Sequence, residues 1–127
     1  MDALSEYFTA KHETLEYEYK ENCLTIARKI ACLLLDQNKK PYIMTLSLFE
    51  DRGDVKYYGP LMPTRYRGTV TFTRHYVCCC EDLAFDPIHP EPLKTNEYST
   101  TLFGFEIPMQ MFVATSGILL YLGRVTR

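Results

Sequence analysis

Residues 23–37, Cys-Leu-Thr-Ile-Ala-Arg-Lys-Ile-Ala-Cys-Leu-Leu-Leu-Asp-Gln, constrain this chain most, because they read as a helix with very little polar surface. Thr25, Arg28, Lys29 and Asp36 fall on one narrow stripe, while Leu24, Ile26, Ala27, Ile30, Leu33, Leu34 and Leu35 cover most of the rest. A helix apolar around most of its circumference has to be packed on more than one side, and so belongs in the middle of a domain. Asn38-Lys39-Lys40-Pro41 stops it. At its start Asn22 is expected to act as the N-cap, its side-chain oxygen accepting from one of the helix's unpaired N–H groups. Cys23 then falls in the first turn, at the positive end of the helix dipole. That environment favours a thiolate and makes the sulfur a nucleophile near neutral pH.

The remaining elements follow from periodicity and turn chemistry. Residues 2–11 suit a short amphipathic helix with Leu4, Tyr7, Phe8 and Leu15 inward, and residues 16–21 read as an extended approach to the buried helix. Residues 42–50 read as a strand, followed by a turn at 51–54 and a short strand near 55–58. A loop covers 59–68, with two prolines and two arginines, and is a candidate cover for a cleft. Residues 69–80 are rich in β-branched and aromatic side chains and read as a long strand. Glu81-Asp82 marks a turn, and residues 83–86 return as its partner. Pro87, Pro90 and Pro92 keep the next stretch irregular, a short helix is expected near 96–103, and one or two strands close the chain around Gly117. With 127 residues and a hydrophobic fraction of 46%, this is expected to be a single α+β domain over 1–127, its central helix packed on an antiparallel sheet.

Charge and cysteine usage narrow the function classes. A formal net charge of -2 does not favour nucleic acid as a partner, and Arg65-Tyr66-Arg67 is too short a basic cluster to change that. No apolar run reaches the length of a membrane span, and Met-Asp-Ala-Leu-Ser-Glu lacks a signal-peptide pattern. The expectation is a cytoplasmic protein, or one exported without a cleaved signal, with no membrane partner. Five cysteines without regular spacing point to reduced thiols rather than a disulfide framework. Cys78-Cys79-Cys80 alternate between the faces of a strand and lack the second ligand pair of a zinc site, so they read as interior packing, as does Cys32. His12 and His89 read as solvent-facing, with His89 the reserve base.

Thiol catalysis needs a nucleophile, a base to take its proton, and a third group that fixes the base. Cys23, His75 and Asp86 can fill those roles. A hairpin centred between Glu81 and Asp82 puts Asp86 opposite Val77, which shares a sheet face with His75. Asp86 and His75 then become diagonal neighbours about 7–8 Å apart along the backbone, within side-chain reach. An even-membered loop preserves this relation; a three-residue loop would place them on opposite faces.

Asn-Cys heading a central helix, His on a strand, and a hairpin return ending Ala-Phe-Asp-Pro-Ile together resemble the papain-like fold superfamily. More narrowly, the chain resembles the compact bacterial members, papain-fold toxin and effector domains with peptidase or glutamine-deamidase activity. The resemblance covers roughly residues 20–90. It implies a papain-like cysteine hydrolase core, with Cys23 as nucleophile, His75 as proton shuttle and Asp86 as orienting acid. It further implies a protein or peptide substrate and no cofactor. The glutamine that such enzymes usually carry shortly before the cysteine, to help hold the oxyanion, is absent here. Asn22, Tyr19 or the Cys23 backbone N–H would have to serve instead. The expected function is therefore a cysteine-dependent hydrolase of an amide bond, a thiol protease or a deamidase. The alternatives are a non-catalytic protein-binding module with a degenerate papain-like fold, or a transglutaminase-like acyltransferase. Oligomeric state is not readable from the chain.

Overall fold

The computed structural model describes residues 2–52, 55–59, 63, 75–107 and 109–113. Among the described residues, two helices and seven strands run in the order α1 (Ala3–Asp36), β1 (Pro41–Leu46), β2 (Leu48–Arg52), β3 (Val55–Gly59), β4 (His75–Cys80), β5 (Leu83–Phe85), β6 (Leu93–Lys94), α2 (Thr95–Phe103) and β7 (Met109–Val113). The class is α+β, as expected. Five strands form one antiparallel sheet in the order β6-β5-β4-β1-β7, and β2 and β3 form a separate hairpin.

The first helix departs from expectation. In place of a short helix, an extended linker and a second helix, α1 runs unbroken for 34 residues, about 51 Å at 1.5 Å per residue. The physical reason lies in composition. Residues 3–36 contain neither glycine nor proline, and the 16–21 stretch is built largely from Glu and Lys, which propagate a helix well. The cap is Asp2, whose carboxylate accepts from the Ser5 N–H at 2.8 Å. Asn22 is thus an interior helical position, and Cys23 lies far from either helix end. At the other end α1 closes in a Schellman motif: Lys39 N–H donates to Leu34 O and Asn38 N–H to Leu35 O, with Asn38 left-handed at φ 60°. Among the described residues, no helix is long and apolar enough to cross a membrane.

The core forms where α1 meets β4 and β1. Ile26, Ala27, Ile30, Ala31 and Leu34 of α1 are buried with Ile43 and Leu46 of β1 and all six residues of β4. A strand buried at every position has both faces covered, which is why Cys78, Cys79 and Cys80 are interior thiols. Cys32 is a correction: it lies on the exposed stripe of α1 rather than in the core.

The stretch expected as one strand over 42–50 divides at Ser47, leaving β1 in the main sheet and β2 in the small hairpin. Asp51 and Arg52 belong to β2 rather than to a turn. Strand β6 was not anticipated, whereas α2 falls where a short helix was expected. The loop over 60–68, apart from Pro63, the first half of the expected 69–80 strand, and the chain around Gly117 lie outside the described residues.

The β4–β5 hairpin has the anticipated register: Cys80 faces Leu83, Cys79 faces Ala84 and Cys78 faces Phe85, joined by the two-residue loop Glu81-Asp82. Glu81 has φ 56°, and Asp82 is not in the positive-φ region, which is the sign pattern of a type II′ turn that prefers glycine at its first loop position. Tyr42 donates to the Glu81 backbone carbonyl at 2.6 Å, a contact independent of the Glu81 side chain. Glu81→Gly is therefore expected to raise stability by up to about 1 kcal/mol, relief of the left-handed cost exceeding glycine's extra chain entropy. Denaturant unfolding checks this, and a variant less stable than the wild type would contradict it.

Candidate active site

The hairpin register delivers two of the expected site residues to each other. His75 opens β4, Asp86 stands one residue beyond β5, and His75 Nε2 lies 2.8 Å from Asp86 Oδ2. Both are buried, at 0% and 1% exposure. Asp86 also begins a turn. Its Oδ1 accepts the Ile88 N–H at 3.0 Å, its backbone carbonyl accepts the His89 N–H at 3.0 Å, and Pro87 between them fixes the backbone. Tyr98, from α2, donates its hydroxyl to Oδ2, the oxygen that meets His75. An ionised carboxylate is acceptor-only, so this set of donors suits the charged form.

The third expected residue joins from α1. Cys23 is buried at 8% exposure, and the His75 side chain and the Tyr76 backbone are the groups that lower its pKa. The β5 ladder ends at the Cys78–Phe85 pair, so near Tyr76 this strand edge is available to the helix rather than to β5. Burial pushes the Cys23 thiol up. The hydrogen bond and positive charge of His75, with the Tyr76 N–H, push it down further, and the thiol ends below its ordinary range. His75 moves the other way. Burial lowers it, but the charge and hydrogen bond of Asp86, followed by Cys23, carry it up to about 9. A depressed thiol beside a raised imidazole is the signature of a thiolate–imidazolium pair.

The expected placement of Cys23 at a helix start is thus corrected: the helix begins twenty residues away at Ala3, and what lowers the thiol is His75 and the Tyr76 backbone. For the same reason the Cys23 N–H lies in the helical hydrogen-bond ladder and is not a free oxyanion donor. The side chains of Tyr19 and Asn22 lie outside the described residues. His12 is also corrected. His12 is half-buried and its Nδ1 donates to the Pro87 carbonyl at 2.7 Å, tying α1 to the turn that presents Asp86. His89 Nδ1 lies 2.8 Å from the Glu91 carbonyl in a local turn.

Sequence reasoning missed Tyr98 and Phe103, whose ring meets His75 edge-on with centroids 5.8 Å apart. The spacing of Tyr98 and Leu102, four residues apart in an expected helix, already marks an inward face. Cys78 and Cys79 do not compete as nucleophiles: burial raises both, Cys79 to about 12. Among the described residues, no group of three or more His, Cys, Asp or Glu side chains could hold a metal ion.

No protein-family model matches this chain, and no match was found among curated proteins or solved structures.

The raised His75 makes folding pH-dependent. A group whose folded pKa lies above its ordinary value contributes fully below 6.5 and loses that contribution as pH rises through about 9. Asp86→Asn is expected to cost about 3–5 kcal/mol at low pH, because it leaves a buried charge without its partner. That cost should shrink across the same window. Chemical denaturation in a Cys23→Ala background checks it, since the thiol's opposite pH dependence is then absent; a pH-independent difference would contradict it.

Proposed function

We propose that this chain is a papain-like, cysteine-dependent hydrolase of amide bonds, acting on a peptide bond or a glutamine side chain. The observation that carries the reading is the buried chain of contacts Cys23–His75–Asp86, with the thiol lowered and the imidazole raised. Nothing but packing requires a buried thiol to sit against a histidine fixed by a carboxylate, and perturbed groups of this kind cluster at catalytic sites.

The chemistry follows from those positions. With Nε2 held by Asp86, the proposal assigns to Nδ1 the exchange of a proton with the Cys23 thiol. The Cys23 thiolate attacks the amide carbonyl carbon, forming a C–S bond and a tetrahedral oxyanion. Collapse breaks the C–N bond as His75 passes its proton to the departing amine or ammonia, leaving a thioester. His75, now neutral, takes a proton from water as the water oxygen attacks the thioester. Collapse of this second tetrahedral species breaks the C–S bond with its electron pair on sulfur, releasing the carboxylic acid and restoring the Cys23 thiolate beside protonated His75. Asp86 keeps the imidazole in one tautomer and orientation throughout. The Tyr76 N–H, which lowers the Cys23 pKa, is the backbone donor assigned here to the developing negative charge.

One observation favours the second reading, a non-catalytic protein-binding module: His75 and Asp86 have almost no exposed surface. An amine in place of water as acceptor would make the same site an acyltransferase.

Labelling with a peptide-amide electrophile separates these readings. Under the proposal, wild-type protein is labelled at Cys23, Cys23→Ala is folded and unlabelled, and His75→Ala slows labelling by about 10²–10⁴-fold. Equal labelling of wild type and Cys23→Ala would refute it. Adding a primary amine to the thioester step distinguishes transfer from hydrolysis.

A further inference from the structure

Resting on that reading of the site, we infer that Tyr98 is a positioning residue for catalysis, acting through Asp86 on His75. The geometry is specific. Of the two carboxylate oxygens, Oδ1 is taken by the Ile88 N–H of the adjacent turn, which sets where the carboxylate sits. Oδ2 is shared: it meets His75 Nε2 and also accepts the Tyr98 hydroxyl. Tyr98 is 1% exposed, so no water competes for that bond. Its ring is held edge-on by Phe103, centroids 6.4 Å apart, and Phe103 in turn packs edge-on against His75. Helix α2 therefore touches both members of the acid–base pair, and the phenol and imidazole share one oxygen within one packed cluster.

Sharing has a chemical consequence. A donor on Oδ2 withdraws charge from the oxygen that holds the imidazolium proton, so the carboxylate grips that proton less tightly. An imidazolium held too firmly is a poor acid toward the departing amine, whereas one held by no carboxylate loses its orientation. Tyr98 sets the balance between these limits. Among the described residues, the titratable groups that act on His75 are Asp86, after β5, and Cys23 from α1, and Asp86 in turn acts on Tyr98 of α2 and the buried Cys79 of β4. Of these, Tyr98 is the one that meets Asp86 on the oxygen used by the imidazole.

The test is the titration of the His75 imidazole by NMR in the full-length protein, in three forms: wild type, Tyr98→Phe, and protein with a fluorinated tyrosine at position 98. Removing the hydroxyl should move the His75 titration to higher pH by about one unit, a share of what a charged hydrogen bond contributes. The fluorinated phenol is a stronger donor of the same shape and should move it to lower pH. In the labelling assay Tyr98→Phe should lower the maximal rate while leaving the electrophile's half-saturating concentration unchanged. Opposite shifts in the two variants support the inference. Titrations that superimpose on the wild type, or shift in the same direction, overturn it. If Tyr98→Phe does not fold, the fluorinated protein decides alone, by an acid shift or none. A wild type in which Cys23 labels no faster than an ordinary thiol would instead overturn the catalytic reading itself, whatever Tyr98 does.

Discussion

The Asp86 carboxylate is the point on which the interior of this protein turns. It is almost wholly buried, and a buried charge is tolerated only when donors surround it. Those donors come from different parts of the chain: His75 from β4, the Ile88 N–H from the turn after β5, and Tyr98 from α2. His12 reaches the same turn from α1 through the Pro87 carbonyl. One carboxylate and its turn therefore bind both helices and the sheet into one arrangement. His75 is fixed as a by-product, because the ring must point one nitrogen at the acid.

The consequence for Cys23 is that its reactivity is a tertiary property. A thiolate at a helix start is stabilised locally by the helix's own N–H groups. Here α1 continues twenty residues upstream of the sulfur, and the stabilisation arrives instead from the imidazolium and from the Tyr76 N–H. The other buried thiols show the contrast. Cys78 and Cys79 share the apolar interior, and burial first, then the neighbouring thiols and, for Cys79, the Asp86 charge, drive them away from ionisation. Neighbours rather than depth separate the thiol whose pKa is lowered from those whose pKa is raised.

How much of this was legible in the chain depends on the range of the interaction. The His75–Asp86 relation was readable because strand parity and a two-residue loop fix which residues share a face, and Glu81-Asp82 left few alternatives. The buried face of α1 from Ile26 to Leu34 was readable from its apolar circumference, and α2 from its spacing. The long helix was missed because Asn22 looks like a cap and the tyrosines of 16–21 suggest extended chain. Propensity summed over a segment free of glycine and proline outweighs one residue's capping preference. Tyr98 and His12 were missed for a different reason. His12 meets Pro87 across 75 residues, and Tyr98 lies 12 residues from Asp86 but is joined to it by a proline-containing stretch rather than a hairpin, so no strand parity announces either contact.

The central claim is that the Cys23 proton resides on His75, and thiolate ultraviolet absorbance against pH measures it most directly. The trace for Cys23→Ala is subtracted from that of the wild type, which isolates one thiol of five. The account predicts that this difference titrates well below the ordinary thiol range of about 8.5, and that His75→Ala returns it to or above that range. Difference curves that coincide with and without the His75 imidazole would contradict it.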